Sequence, residues 1–252
     1  MPYFFDSGAS IGISRSPHPH SFTDVGGLIG KMDSYGIKKA MVYHLVARES
    51  NAAEGNKLLM DEIKGHDALY PVWAVMPHHT GEFDHPEKLV MRMKESGIKA
   101  VRMFPDRGYH NFNIAKRNCG ELFSVLENCG VPVFLELDTD FVDWDSIDNA
   151  CGYHPNLKLV LCGLDYSVDR NLYPILSLHK NVYLETYRYK THYGIEEISL
   201  KFGASRLVFG SGMPLFSGAA AVSMINYAHI SDNEKEMIAY GNLESILQEV
   251  RL

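Results

Sequence analysis

The fold this sequence predicts is a single (β/α)8 TIM barrel of the α/β class, and three observations predict it. Short β-branched or apolar runs alternate with amphipathic segments of helical length. The runs number eight in 252 residues, so the repeat is about 31 residues, the size of one strand–loop–helix–loop unit. Strands that alternate with helices must pair in parallel, because each crossover returns the chain to the same edge. Eight such units suggest closure into a barrel; an open doubly wound sheet is the alternative.

The strand runs, in order, are Tyr3–Asp6, Ala40–His44, Tyr70–Met76, Lys99–Phe104, Pro132–Leu137, Leu157–Cys162, Val182–Thr186 and Arg206–Gly210. Between them lie helical patterns at Gly27–Tyr35, Ala52–Lys64, Glu87–Ser96, Glu121–Asn128 and Leu172–Leu178. Gly36, Gly97, Gly130 and Gly203 follow helical patterns at the place where a left-handed C-cap belongs. No Ser/Gly linker, charged block or low-complexity tract interrupts the chain, which reads as one domain over residues 1–252.

Composition excludes several functions. With 24 basic against 31 acidic side chains and no Lys/Arg run, the chain lacks the clustered cations that a nucleic acid demands. No apolar stretch approaches the length of a membrane span, and no basic segment precedes an apolar one as in a signal peptide. Cys119, Cys129, Cys151 and Cys162 contain no C-x-x-C pair and read as reduced thiols of a cytoplasmic protein. A G-x-G-x-x-G turn, a phosphate-binding loop and a G-x-S-x-G elbow are all missing, so nucleotide binding and serine-hydrolase chemistry have no basis here.

The phrases Gly36-Ile37-Lys38-Lys39-Ala40, Trp73-Ala74-Val75-Met76-Pro77, Gly97-Ile98-Lys99-Ala100-Val101-Arg102, Gly130-Val131-Pro132-Val133, His154-Pro155-Asn156-Leu157, Asn181-Val182-Tyr183-Leu184-Glu185, Arg206-Leu207-Val208-Phe209-Gly210-Ser211 and Gly241-Asn242-Leu243 run in a characteristic order. Over residues 3 to 249 that order resembles the amidohydrolase-2 branch of the metal-dependent hydrolases. The resemblance implies a (β/α)8 barrel that hydrolyses or decarboxylates small molecules at the C-terminal ends of its strands, usually with a divalent metal.

The metal ligands of that pattern are replaced here. The family's Asp-x-His-x-His reads Asp6-Ser7-Gly8-Ala9-Ser10, and the strand-five histidine is Glu136. The strand-six histidine falls at Gly163 and the strand-eight aspartate at Gly212. All five positions are substituted, three by glycine, so imidazole-held zinc is excluded on ligand count. The expectation is a barrel with no metal and no cofactor.

Alternation along strands brings other side chains toward the vacated mouth. With the family's ligand positions facing inward, the sets are Asp6/Gly8/Ser10, Ala74/Met76/His78, Ala100/Arg102/Phe104, Phe134/Glu136/Asp138, Leu161/Gly163/Asp165, Tyr183/Glu185/Tyr187 and Val208/Gly210/Gly212, with His44 joining from strand two. Glu136, Arg102 and His44 are the expected catalytic residues; Asp6, His78, Asp165 and Glu185 are the expected substrate-binding ones. Arg102 and Glu136 lie on adjacent strands. Either they form a buried ion pair plugging the metal's space, or Arg102 orients a substrate carboxylate while Glu136 moves a proton. Asp6, Glu136, Asp165 and Glu185 around a hard cation such as magnesium is a third arrangement.

Other features read as structure. His18-Pro19-His20 sits in a loop, Met91-Arg92-Met93 packs a helix, and Tyr187–Tyr193 forms a pocket rim or a packing surface. The predicted partner is a small polar or carboxylate-bearing molecule, with no nucleic acid or membrane, and the chain is compatible with a homo-oligomer. Two functions follow: a metal-independent hydrolase or decarboxylase, or a barrel that keeps its pocket for binding or regulation without turnover.

Overall fold

The computed structural model describes residues 2–138 and 142–252. Each of the eight expected runs contains strand: β1 (Phe4–Ile11), β2 (Ile37–His44), β3 (Leu69–Pro71) with β4 (Trp73–Ala74), β5 (Val101–Met103), β6 (Val133–Glu136), β7 (Leu159–Cys162), β8 (Val182–Glu185) and β9 (Leu207–Val208). Each pairs in parallel with its neighbour in sequence, apart from β3 and β4, which are one stave divided at Val72. The ladder is continuous through that break, since Val72 N donates to Val42 O at 2.9 Å and Val75 N to Arg102 O at 3.0 Å. Ser7 N donates to Phe209 O at 3.0 Å and Ser10 N to Met213 O at 2.8 Å, joining the last stave to the first. An open sheet has no such seam, so the barrel reading stands.

The strand bounds differ from the sequence expectation throughout, and the two differences at the seam bear most on the site. β1 runs five residues beyond Asp6, through Ser7-Gly8-Ala9-Ser10, whose residue types disfavour strands. Tertiary pairing overrides that preference, because β2 holds one edge and the continuation of β9 holds the other. β9 is only Leu207–Val208, shorter than the expected Arg206–Gly210.

The helices on the outside are α1 (Val25–Tyr35), α2 (Leu45–Glu49), α3 (Ala52–Glu62), α4 (Pro86–Glu95), α5 (Lys116–Asn128), α6 (Trp144–Tyr153), α7 (Asp169–Leu178), α8 (Gly194–Phe202), α9 (Gly218–Asn226), α10 (Asp232–Glu236) and α11 (Asn242–Gln248). Their ends follow local chemistry. Asp24 accepts Gly27 N at 2.7 Å to start α1, and Gly36 at φ 73° ends it. Ser231 and Glu234 form a reciprocal capping box on α10. No helix among the described residues is long and apolar enough to cross a membrane. All four cysteines are free.

Two cores result. The larger lies between helices and sheet and contains Leu28, Met93, Phe123, Leu135, Leu161 and Leu184. Of the expected methionine pair only Met93 packs there; Met91 is exposed. The smaller fills the barrel with Phe5, Met41, Val72, Ala100, Phe134, Val160 and Val208, against which α11 packs Leu243 and Ile246. Two residues further along each stave the inward positions become Ser7, Tyr43, Ala74, Arg102, Glu136, Cys162, Glu185 and Gly210. That second set is the floor of the mouth.

Candidate active site

Arg102 organises the floor. Its Nε and Nη2 donate to Glu136 Oε2 at 3.0 and 2.8 Å; Nη2 also reaches Glu185 Oε2 at 2.7 Å. Nη1 donates to Ser7 O at 3.2 Å and to Glu185 Oε1 at 3.3 Å. A guanidinium has five N–H groups, and these contacts engage all of them. The ring of Tyr43 lies beneath, 5.2 Å from the guanidinium carbon. Ser7 Oγ donates to Glu185 Oε1 at 2.6 Å, and Tyr187 OH donates to Glu136 Oε1. Arg102 and Glu185 are 2% and 0% exposed, so water barely reaches the clamp. Burial alone would raise the Glu136 carboxyl, but the guanidinia of Arg102 and Arg48 hold it below the usual range.

The residues of the mouth do not fit a metal of the family's kind. Cβ atoms at Gly8 and Gly210 would lie 2.8 Å from Glu185 Oε1 and 2.6 Å from Glu185 Cγ. At Gly163 (φ 79°) a Cβ would meet Leu137 O at 2.6 Å, and at Gly212 (φ 66°) Tyr187 Cδ2 at 2.6 Å. At the ligand positions Gly8, Gly163 and Gly212 the space is taken by Glu185, by the Leu137 carbonyl and by Tyr187 respectively, and the last two backbones favour glycine outright. Glu136, Cys162 and Glu185 do bring ligand atoms within 4.8 Å of one another. Their carboxylates are already spent on Arg102, and burial pushes the Cys162 thiol well above its ordinary range, away from the thiolate a metal needs.

Of the expected site residues, the structure brings together Arg102, Glu136 and Glu185. Asp6 is fully buried on the seam of the barrel, where Ser211 N and Gly8 N donate to Oδ1 at 2.8 and 3.0 Å and Ser211 Oγ donates to Oδ2. Burial lifts its carboxyl to about 6, against the hydrogen bonds from Ser211 and Gly8. It holds strand ends together and offers nothing to a substrate.

His44 does not join the mouth. Inward parity on β2 passes through Met41 and Tyr43, so His44 points out of the barrel, accepts Val46 N at 3.1 Å and faces Glu62 Oε1 at 3.4 Å. Burial holds its imidazole below the usual value against the pull of Glu62. His78 turns toward α5, with Nε2 3.5 Å from Glu121 Oε2. Asp165 is a rim residue that caps a short 3-10 turn by accepting Ser167 N at 2.9 Å and lies 3.9 Å from Arg188 Nη2. The expected inward set on β7 is out of phase: Val160 and Cys162 face the interior, while Leu161 packs outward. His18 and His20 are exposed. Tyr187 and Tyr189 are buried, Tyr189 OH donating to Asp169 at 2.7 Å, so of the two readings of that segment these tyrosines take the packing one.

Two residues at this end escaped the sequence reading. Arg48, on α2 directly after β2, stacks 4.4 Å from the Tyr109 ring centre and donates from Nη2 to the hydroxyl of Tyr109 at 2.6 Å. Among the described residues its buried Nε has no hydrogen-bond partner. Asp106 follows β5 through Phe104-Pro105; burial, with Asp138 and Glu136 adding repulsion and Arg48 opposing, raises its carboxyl to about 6. It lines a cavity of about 440 Å³ with Arg107, Asn111, Phe112, Leu137 and Ile147. Both lie on connections at the C-terminal ends of strands, where barrel enzymes place their chemistry.

The amidohydrolase family model matches residues 31–246. Among solved structures, an uncharacterised TIM-barrel protein from Bordetella bronchiseptica is 17% identical, with 98% of this chain and 99% of that one covered and a TM-score of 0.77. 2,6-Dihydroxybenzoate decarboxylase from Rhizobium is 15% identical over 98% and 99% of the chains, with a TM-score of 0.76. 5-Carboxyvanillate decarboxylase from Novosphingobium aromaticivorans, complexed with manganese and 4-hydroxy-3-methoxy-5-nitrobenzoic acid, is 14% identical over 98% and 96%, at 0.76. At such identities the likeness establishes the fold. A search of curated protein sequences found no match.

Proposed function

Because the chain belongs to the amidohydrolase family yet closes its barrel floor with an arginine clamped between two glutamates, we propose that it is a metal-independent member that hydrolyses or decarboxylates a small carboxylate-bearing molecule above that floor. The observation that carries this reading is the Arg102 clamp: Glu136 and Glu185, spent on the guanidinium, are not free to hold a metal, and Glu185 fills the space beside Gly8 where a family ligand would project. Since Arg102 has no donor left, the substrate's carboxylate falls to Arg48, which is only half-buried and donates from Nη2 to the Tyr109 hydroxyl rather than to a carboxylate. Asp106, with a carboxyl near 6, is suited to proton transfer close to neutral pH. In a decarboxylation, the electron pair left as carbon dioxide departs takes the Asp106 proton; in a hydrolysis, ionised Asp106 takes a proton from the attacking water and returns it to the leaving oxygen as the acyl C–O bond breaks.

Manganese in a similar decarboxylase makes metal dependence the property to test. Metal-stripped protein assayed against hydroxyarene carboxylates, esters and lactones should turn over one class at a rate unchanged by chelator. Arg48→Ala and Asp106→Asn should abolish that turnover. Activity that appears only on adding manganese overturns the proposal.

The saturation of Arg102 favours a second reading, binding without turnover, in which Glu136 and Glu185 are structural. A carboxylate that raises the melting temperature and is recovered unchanged would select it.

A further inference from the structure

Outside the barrel, three segments bring metal-ligating groups to one point. His78 lies in the 3-10 turn His78–Thr80 after β4, His85 stands at the N-cap of α4, and Glu121 is on α5. Glu121 faces both imidazoles: Oε2 is 3.5 Å from His78 Nε2 and Oε1 is 2.9 Å from His85 Nε2. The two rings meet edge to face with centres 4.7 Å apart, and all three ligand atoms lie within 4.8 Å of one another. A zinc ion bonded at about 2.0–2.1 Å holds its tetrahedral ligands roughly 3.3 Å apart, so side-chain rotations alone bring this trio into place.

A second feature points the same way. The other nitrogen of His85, Nδ1, is hydrogen-bonded to Glu87 in the first turn of α4. A carboxylate behind a histidine fixes the ring and the tautomer so that Nε2 presents its lone pair outward, the arrangement that metal-binding histidines use. We propose that His78, His85 and Glu121 form a divalent-cation site, suited by its two imidazoles and one carboxylate to zinc, with water completing the coordination. An imidazole binds a metal only through an unprotonated nitrogen, so uptake weakens as pH falls. It ties the loop after β4 to α5. Nothing in this site draws on the barrel floor, and it stands whether or not the chain is a catalyst.

The test uses untagged, full-length protein stripped of metal and titrated with zinc alone, by calorimetry and by melting temperature. One equivalent should bind and raise the melting temperature. Glu87→Gln should weaken binding about tenfold or more, and His78→Ala and His85→Ala should weaken it further. His18→Ala with His20→Ala should leave it unchanged. Cobalt in place of zinc should give the visible absorption of a four-coordinate site, lost in His85→Ala. Absence of saturable binding, binding that survives the paired His78→Ala and His85→Ala changes, or binding lost instead in Glu185→Gln each overturns the assignment, the last by moving the ion into the barrel.

Discussion

Two arginines stand at the same end of this barrel, and they are used in opposite ways. Arg102 is 2% exposed, contacts two carboxylates and a carbonyl, and spends every N–H on them. Arg48 is less deeply placed, shares one hydrogen bond with Tyr109 and keeps a buried Nε that has no partner among the described residues. A charge buried this completely persists only when it is paired, and its pairing leaves nothing for a ligand. A charge that keeps an unspent donor at the mouth carries a cost that a bound carboxylate relieves. The comparison separates what holds the fold from what is free to recognise a molecule.

The largest effect should come from breaking the clamp. Arg102→Ala strands Glu136 and Glu185 in the dry interior, and the expected destabilisation is about 3–5 kcal/mol by urea unfolding. A loss below about 1 kcal/mol would mean that water enters and the clamp is not a sealed floor. Next is the fit around it. Gly210→Ala places a Cβ against the Glu185 side chain, which Ser7 and Arg102 hold still, and should cost about 1–3 kcal/mol. If Gly210→Ala is neutral in wild type, the rigidity ascribed to Glu185 is wrong.

Much of this was legible in the sequence, for identifiable reasons. Eight strand runs and five helices emerge from periodicity, because buried staves and half-buried helices write different periods into the chain. The Arg102–Glu136 pairing follows from two adjacent strands and one parity, and Glu185 from the same rule. Parity fails at three places. On β1 the inward residues around Asp6 are Phe5 and Ser7, and Asp6 itself turns to the seam before the register shift that follows it; on β2 counting back through Tyr43 and Met41 puts His44 outside; and on β7 Gly163, at φ 79°, breaks the alternation that Cys162 still obeys. Arg48 and Asp106 were invisible because they sit on a short helix and a loop, where no alternation runs. The signal that finds them is position alone: charged residues within a few places of a strand's C-terminal end in a barrel.

A smaller effect concerns pH. An aspartate ordinarily titrates near 3.9, while burial lifts Asp106 to about 6. Between roughly pH 4 and 6 the folded protein therefore holds a proton that the unfolded chain has already released. Its contribution to stability is fully present below about pH 4 and is lost as pH rises to about 6. Asp6, also lifted to about 6, acts in the same sense, and Glu136, held low, acts in the opposite one. The difference between wild type and Asp106→Asn isolates one contributor: the variant's stability should decline less across that window. An unchanged slope would show that Asp106 is as solvated as an ordinary surface carboxylate.

The smallest effect on stability, and the sharpest for function, is expected at Arg48. Removing its side chain costs one hydrogen bond to Tyr109 and a stack on that ring, about 1 kcal/mol or less in all, because no carboxylate is left stranded by its loss. The same change should erase any rise in melting temperature that small carboxylates cause in wild type, whereas Glu136→Gln should preserve that response. If Arg48→Ala instead destabilises as severely as Arg102→Ala, its charge is structural: the two arginines then form one buried network with Glu136, and the ligand's anion must be sought elsewhere. The cavity beside Asp106 is the next place to look, since Arg107 lines it and is exposed. Measured side by side in one buffer, the two alanine variants decide between a mouth that keeps a free cation for a substrate and a mouth whose cations are all committed to the fold.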